Sequence, residues 1–309
     1  MQTKLLTRKN ITQEDQSSIN KLIGDSFFTS KGFMELWPLM SGTPVYWVVE
    51  DSNEVIAVLP AVEFGMSKLK RLQALPDGCY SSLYIKKNVD IEHVQQKLLS
   101  AVYSYGYIKI FIYDFYDTVK HVSDYERITR QTTLIDVSSS EWQPPDKKLQ
   151  SEIRKAERES VQIEKFNNDK HLVRFFELMR KTESRHDRKP KYSDFFFSYL
   201  SELAESDNRI IWNWCEHEGK AVSSHINFIE KNQIINWQVY FDKQFSTLKA
   251  NQKMLFELAV IAREKNIQYL NLGASPLESS TLVEYKNKWG GVMKEYYSYE
   301  HKSFLGKIL

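Results

Sequence analysis

Residues 209–242, RIIWNWCEHEGKAVSSHINFIEKNQIINWQVYFD, constrain what this chain can fold into more than any other stretch. Three runs rich in β-branched and aromatic residues are separated by Glu218-Gly219 and Lys231-Asn232, pairs suited to two-residue hairpin turns, which predicts an antiparallel meander. Turns of that length fix the register. They set Asn227 opposite Asn236, His225 opposite Gln238 and Ser223 opposite Tyr240, and in the first hairpin Trp212 opposite His225 and Trp214 opposite Ser223. One face then carries these Trp, Ser, His, Asn, Gln and Tyr side chains, and the other carries Ile211, Ile226, Phe228, Ile235, Trp237 and Val239. A sheet covered by helices on both sides should be apolar on both, so polar groups walled by two Trp predict a cleft lined by Trp212, His225, Asn227 and Gln238. A solvated face of an antiparallel sheet alternates in the same way. His225 is either a hydrogen-bond donor to the fold or an acid or base.

The flanking segments extend the pattern. Apolar residues at Met254, Leu255, Leu258, Ala259, Ile261 and Ala262 predict a helix over 250–265 with one buried face. A strand at 269–272, a break at 273–276, a helix to residue 288 and a strand over 295–299 follow, while helical periodicity covers 170–183 and 192–205 upstream. The order is ααβββαβαβ. The first half repeats it, with helices at 17–23 and 31–40, strands at 45–50, 55–62 and 69–75, a break at Asp77-Gly78, a helix over 91–103, a strand at 108–113, a further short helix and a strand at 130–137. This predicts a duplicated α/β unit, a degenerate first copy in 1–140 and a second in 141–309, with Pro144-Pro145 in the linker and a basic helix over 147–158.

Composition narrows the partners. Lys plus Arg number 42 against 40 Asp plus Glu, so no global field favours duplex DNA, and any anion site must be local. Two cysteines, Cys79 and Cys215, cannot form a disulfide framework and lack metal-ligand spacing, which fits a reducing cytoplasm and no metal. No run approaches the roughly 20 apolar residues of a membrane span, and the polar start, MQTKLLTRKNITQED, lacks a signal-peptide core.

A helix launched from the third strand of a meander, in this order, resembles the GNAT acyltransferase fold, and two tandem copies resemble its FemAB and BioF2-like branch. The strings SFFTSKGFMELW (26–37), QALPDGCYSSLYI (73–85), LQSEIRKAERESVQIE (149–164), HINF (225–228), ANQKMLFELAVIA (250–262), LNLGAS (270–275) and EYKNKWGG (284–291) carry that resemblance. It implies an α/β fold of two tandem GNAT-like domains, each a mixed, largely antiparallel sheet flanked by helices. It also implies acyl or aminoacyl transfer from an activated donor to the primary amine of a small acceptor, in a family that acts on cell-envelope precursors. The amine attacks directly, so neither cysteine is read as a nucleophile. A catalytically inactive binding or scaffold protein with the same fold is the alternative.

In GNAT enzymes the donor phosphates meet the start of the helix after the meander, which here brings forward Lys249 and Asn251, although the family's glycine-rich consensus is absent. An N-capping Asn beside a solvated Lys is the plainer reading. Acyl-CoA, acetyl-CoA being the simplest, is favoured as co-substrate over aminoacyl-tRNA, because the chain has no sustained heptad run of the kind that grips tRNA. Arg154 on the basic helix and Arg185-His186 before the Pro190 break are further anion candidates. Tyr285, with Lys286 beside it, falls where the family protonates the leaving group, and Asp77 is the carboxylate candidate of the first copy, although Pro76-Asp77-Gly78 also reads as a plain turn.

Overall fold

The computed structural model describes residues 1–75, 78–81, 83–120, 122–275 and 280–308. In chain order the elements are β1 (Gln2–Thr7), α1 (Gln13–Ile23), α2 (Lys31–Met34), β2 (Gly42–Asp51), β3 (Glu54–Phe64), β4 (Arg71–Ala74), β5 (Tyr84–Ile85), α3 (Ile91–Ser104), β6 (Lys109–Asp114), β7 (Glu126–Asp136) and α4 (Lys147–Arg158). They continue through β8 (Gln162–Lys165), α5 (Asn168–Ser184), α6 (Asp194–Ser206), β9 (Ile210–His217), β10 (Lys220–Glu230), β11 (Gln233–Phe241), α7 (Ala250–Glu264), β12 (Tyr269–Asn271), α8 (Ser280–Lys288), β13 (Val292–Lys302) and α9 (Phe304–Ile308). The chain forms two compact units, residues 1–130 with 295–309 and residues 131–294.

In the first unit the strands run in the order β1-β2-β3-β4-β6-β13, with β5 paired to β3. Strand β2 shows why both faces are covered: Val45, Trp47 and Val49 join a core with Leu98, Leu99 and Val102 of α3, while Tyr46 and Val48 join another with Ile19 and Ile23 of α1. Alternation with period two therefore feeds two apolar layers. In the second unit the order is β7-β12-β11-β10-β9-β8. Helices α5 and α6 lie against the meander, as does α7, which also packs on α4. The core beside α7 holds Ile211, Ile234, Leu255, Leu258 and Leu270.

Two strands end where local pattern does not put them. Strand β7 closes the first copy by sequence, yet its Leu134, Ile135 and Asp136 pair with Asn271, Leu270 and Tyr269 of the second unit. Strand β13 in turn pairs Tyr297 to Lys302 with Asp114 to Lys109 of the first. Pairing partners are long-range, so periodicity predicts a strand without its neighbour. Among the described residues no helix lies between β6 and β7, and β1 and β8 are strands that the sequence reading lacks.

Both meander turns form as expected: Glu218 and Gly219 take positive φ, as does Lys231, and His217 faces Lys220 while Glu230 faces Gln233. The register beyond them is corrected by two bulges. One extra residue between Ala221 and Ser223 pairs Trp212 with Ile226 and Trp214 with Ser224. A second slip at Ile226/Asn227 pairs His225 with Val239 and Ser223 with Phe241, although Asn227 does face Asn236. A one-residue slip moves every following side chain to the other face. Trp212 thus turns toward α5 and α6, 1% exposed and stacked on Phe166 at 4.1 Å, while His225 turns toward α7. The expected single cleft holding Trp212, His225 and Gln238 does not exist.

Candidate active site

The second unit opens a polar pocket at the start of α7. Lys249 takes φ 61° at the N-cap, and no side chain caps the helix. The leading N–H groups of a helix have no partner within it, so an uncapped start is an anion-binding feature. Here it opens on a pocket of about 210 Å³ lined by Ser223, Phe241, Asp242, Ser246, Lys249 and Asn251, among others. The Lys249 ammonium lies 3.0 Å from Glu152 of α4, and Gln252 donates to the same carboxylate at 3.3 Å. In sequence Glu152 is one acidic residue within the basic helix over 147–158. Its partners come from a distant helix, which no spacing within α4 could reveal.

Asn251 is not the N-cap. Its side-chain oxygen accepts from Ser223 Oγ at 2.5 Å and sits 3.1 Å from His225 Nε2. An amide oxygen only accepts, so Nε2 carries the hydrogen. His225 is buried, its Nδ1 has no partner, and burial pushes its pKa down to about 4. Of the two readings open from sequence, this geometry is that of a hydrogen-bond donor locking α7 to the sheet.

Tyr285 is half-buried, its ring 6.3 Å from that of Trp289, and burial pushes its phenol up to about 12, with the Glu152 charge acting the same way. The neighbouring Lys286 is only 3% exposed and donates to the carbonyls of Gly273 at 2.7 Å and Ala274 at 3.0 Å. Burial lowers its pKa to about 8. Buried ammonium groups usually carry an acidic partner. Among the described residues, this one meets only these two carbonyls.

Arg185 lies 4.2 Å over the Phe241 ring, donates to the Phe241 carbonyl at 3.2 Å and meets His186 Nε2 at 3.0 Å. With Lys243 they line an open pocket of about 500 Å³ that shares Phe241 and Ser246 with the pocket at α7, so a cationic rim adjoins the helix start. Arg154 lies elsewhere: it is exposed and lines a different pocket with Gln150, Glu157 and Phe256. Asn227 is buried and spent on the fold, donating to Ile211 O and accepting from Asn236, and Gln238 pairs with Ile226 and accepts from the Tyr240 hydroxyl at 3.4 Å. Asp77 lies outside the described residues.

Among the described residues, Glu164, His171 and Glu216 come close enough to hold a metal ion. His171 Nδ1 accepts from the Asn167 N–H at 3.0 Å, which puts the hydrogen on Nε2, the atom a metal would need. Glu216 is already engaged by Arg174 and by Trp214 Nε1. The donor set suits a hydrogen-bonded His better than a metal.

Residues 146–287 match the family model described as an acetyltransferase (GNAT) domain, which spans the uncapped helix, Tyr285 and Lys286. The chain carries a GNAT acetyltransferase domain in a FemAB-like fold. A crystal structure of FemX is similar over 100% of both chains, with a TM-score of 0.72 at 12% identity. The C-terminal domain of a putative lysylphosphatidylglycerol synthetase from Agrobacterium fabrum is similar over 95% of this chain and 93% of that one, with a TM-score of 0.63 at 11% identity. A tandem GNAT protein from the clavulanic acid biosynthesis pathway covers 97% and 98%, with a TM-score of 0.54 at 7% identity. These likenesses establish the tandem GNAT fold. A search of curated protein sequences gave no match. No described helix of the chain is long and apolar enough to cross a membrane.

Proposed function

We propose that this acyltransferase moves an acyl group from an acyl-CoA, acetyl-CoA being the simplest, to the primary amine of a small acceptor of the cell-envelope precursor class. Residues 1–140 and 141–309 are its two duplicated copies in sequence, each ending in a strand that joins the other compact unit. The observation that carries this reading is the uncapped start of α7, open on its pocket beside Lys249. A pyrophosphate there would meet the N–H groups of the first turn and draw the Lys249 ammonium away from Glu152. Arg185, His186 and Lys243 on the adjoining rim suit further negative charge on the donor.

The amine nitrogen attacks the thioester carbonyl, the C–N bond forms, the C–S bond breaks, and the amine proton leaves to solvent. Tyr285, held protonated by a pKa of about 12, delivers a proton to the departing thiolate and recovers it from water. Lys286 offers an ammonium to a substrate carboxylate or to the developing oxyanion. His225 acts by fixing Asn251 and the helix start, not as the base.

The absent glycine consensus favours the alternative of a binding protein without chemistry. Thiol release from acetyl-CoA in the presence of a panel of primary amines separates the two. The acyltransferase reading expects amine-dependent release, reduced roughly 100-fold by Tyr285→Phe at unchanged melting temperature. Donor binding without release selects the scaffold, and amine-dependent deacylation of charged tRNA with no thiol release from acetyl-CoA selects the aminoacyl donor.

A further inference from the structure

At one end of the first unit's sheet the register lines up cations across neighbouring strands. Arg71 at the start of β4 lies directly opposite Lys109 at the start of β6, and Lys109 lies opposite Lys302 at the end of β13. Directly opposed residues share a face, and like charges so placed destabilise a sheet. Among the described residues Arg71 and Lys109 have no ion-pair partner, while Lys302 lies 3.7 Å from Glu300, which Arg130 also binds. Arg71 rests over the Phe64 ring at 5.3 Å, which does not neutralise it.

Beside this row, α9 packs the wrong way round for a helix that only serves a core. Gly306 faces inward, so close that a Cβ there would stand 2.0 Å from the Ile108 carbonyl oxygen and 3.2 Å from the Lys109 stem. Residues two positions either side of an inward residue point outward on a helix. Phe304 and Ile308 accordingly stand in solvent, 80% and 68% exposed. Met66, in the turn between β3 and β4 at the same end of the sheet, is 84% exposed. The segments are tied together there, since Ile108 N–H donates to Lys70 O and Ser303 N–H donates to Ile108 O, each at 2.9 Å.

We propose that this end of the first unit docks on an anionic lipid surface, with Phe304, Ile308 and Met66 entering the headgroup boundary and Arg71, Lys109 and Lys302 meeting lipid phosphates. Exposed apolar side chains beside Arg71 and Lys109, which have no ion-pair partner among the described residues, and the partly paired Lys302 fit that occupant, because each contributes where the other is satisfied. A nucleic acid would use the cations and leave the apolar residues in water, which favours lipid over RNA. Docking of this kind needs no spanning helix and is independent of the donor site in the second unit.

Co-sedimentation of the full chain with phosphatidylcholine vesicles, with and without about 30% phosphatidylglycerol, at low and at 0.5 M salt, tests this. The expected result is salt-sensitive binding to the anionic vesicles only, weakened about tenfold or more in Phe304→Ser/Ile308→Ser and again in Lys109→Glu, with melting temperature and thiol release unchanged. Wild-type protein that ignores anionic vesicles overturns the proposal. So does a Phe304→Ser/Ile308→Ser variant that binds as well as wild type, or retention of uncharged tRNA that Lys109→Glu abolishes while vesicle binding persists.

Discussion

Replacing Lys286 with Met should make the protein more stable at neutral pH while removing its activity. The side chain is 3% exposed and its ammonium rests on the carbonyls of Gly273 and Ala274. Burial takes its pKa from 10.5 to about 8. At about 1.36 kcal/mol per pH unit, keeping the charge inside costs the fold about 3 kcal/mol at pH 7. Loss of the two hydrogen bonds takes back about 1–2 kcal/mol, because the half-buried Gly273 and exposed Ala274 can turn to water. Met keeps the stem's packing, so the net gain at pH 7 is about 1–2 kcal/mol. The sign with pH follows from the depressed folded value: between about 8 and 10.5 the unfolded chain holds the proton more tightly, so wild-type stability rises through that window and the penalty is full below it. The advantage of Lys286→Met should therefore shrink from pH 8 to pH 10.5. Thermal unfolding of both proteins across this range, with thiol release measured alongside, reads the effect. A variant no more stable than wild type at pH 7, or a difference that ignores pH, would refute the buried-charge argument, and undiminished turnover would remove Lys286 from the site.

Other consequences follow from the same geometry. His225, neutral in the fold with a pKa of about 4, binds a proton less readily than in the unfolded chain, so stability should fall by about 3 kcal/mol between pH 6.5 and pH 4, and His225→Gln should flatten that slope in acid unfolding curves. Trp212→Ala should cost about 3–5 kcal/mol and lower the melting temperature before it touches donor affinity, because Trp212 is 1% exposed core and not a cleft wall. Tyr285→Phe should retain donor binding in calorimetry while thiol release drops roughly 100-fold.

The sequence carried much of the element order, though not β1, β8 or the direct run from β6 to β7, and it carried the meander with its two turns, because Glu218-Gly219 and Lys231-Asn232 announce positive φ through short-range chemistry. The bulges were invisible. Val222 and Trp237 sit in β-rich runs with nothing local to mark an extra residue, and each moved a set of side chains to the opposite face. The same blindness explains Trp212 as core and His225 as a helix lock. Lys249 and the start of α7 were legible, since a helix must begin after β11. The carboxylate that holds Lys249 was not, because Glu152 approaches from another helix. Lys286 stood beside Tyr285 in sequence, but its perch on the Gly273 and Ala274 carbonyls depends on how α8 returns to the loop after β12.

Titration calorimetry of acetyl-CoA into wild-type protein and into Lys249→Glu bears most directly on a donor site at the start of α7. The wild type should bind one donor per chain, and the variant, which places a carboxylate where the phosphates would lie, should bind at least about tenfold more weakly at equal melting temperature. Equal affinity in the two proteins, or no binding to the wild type, would contradict it.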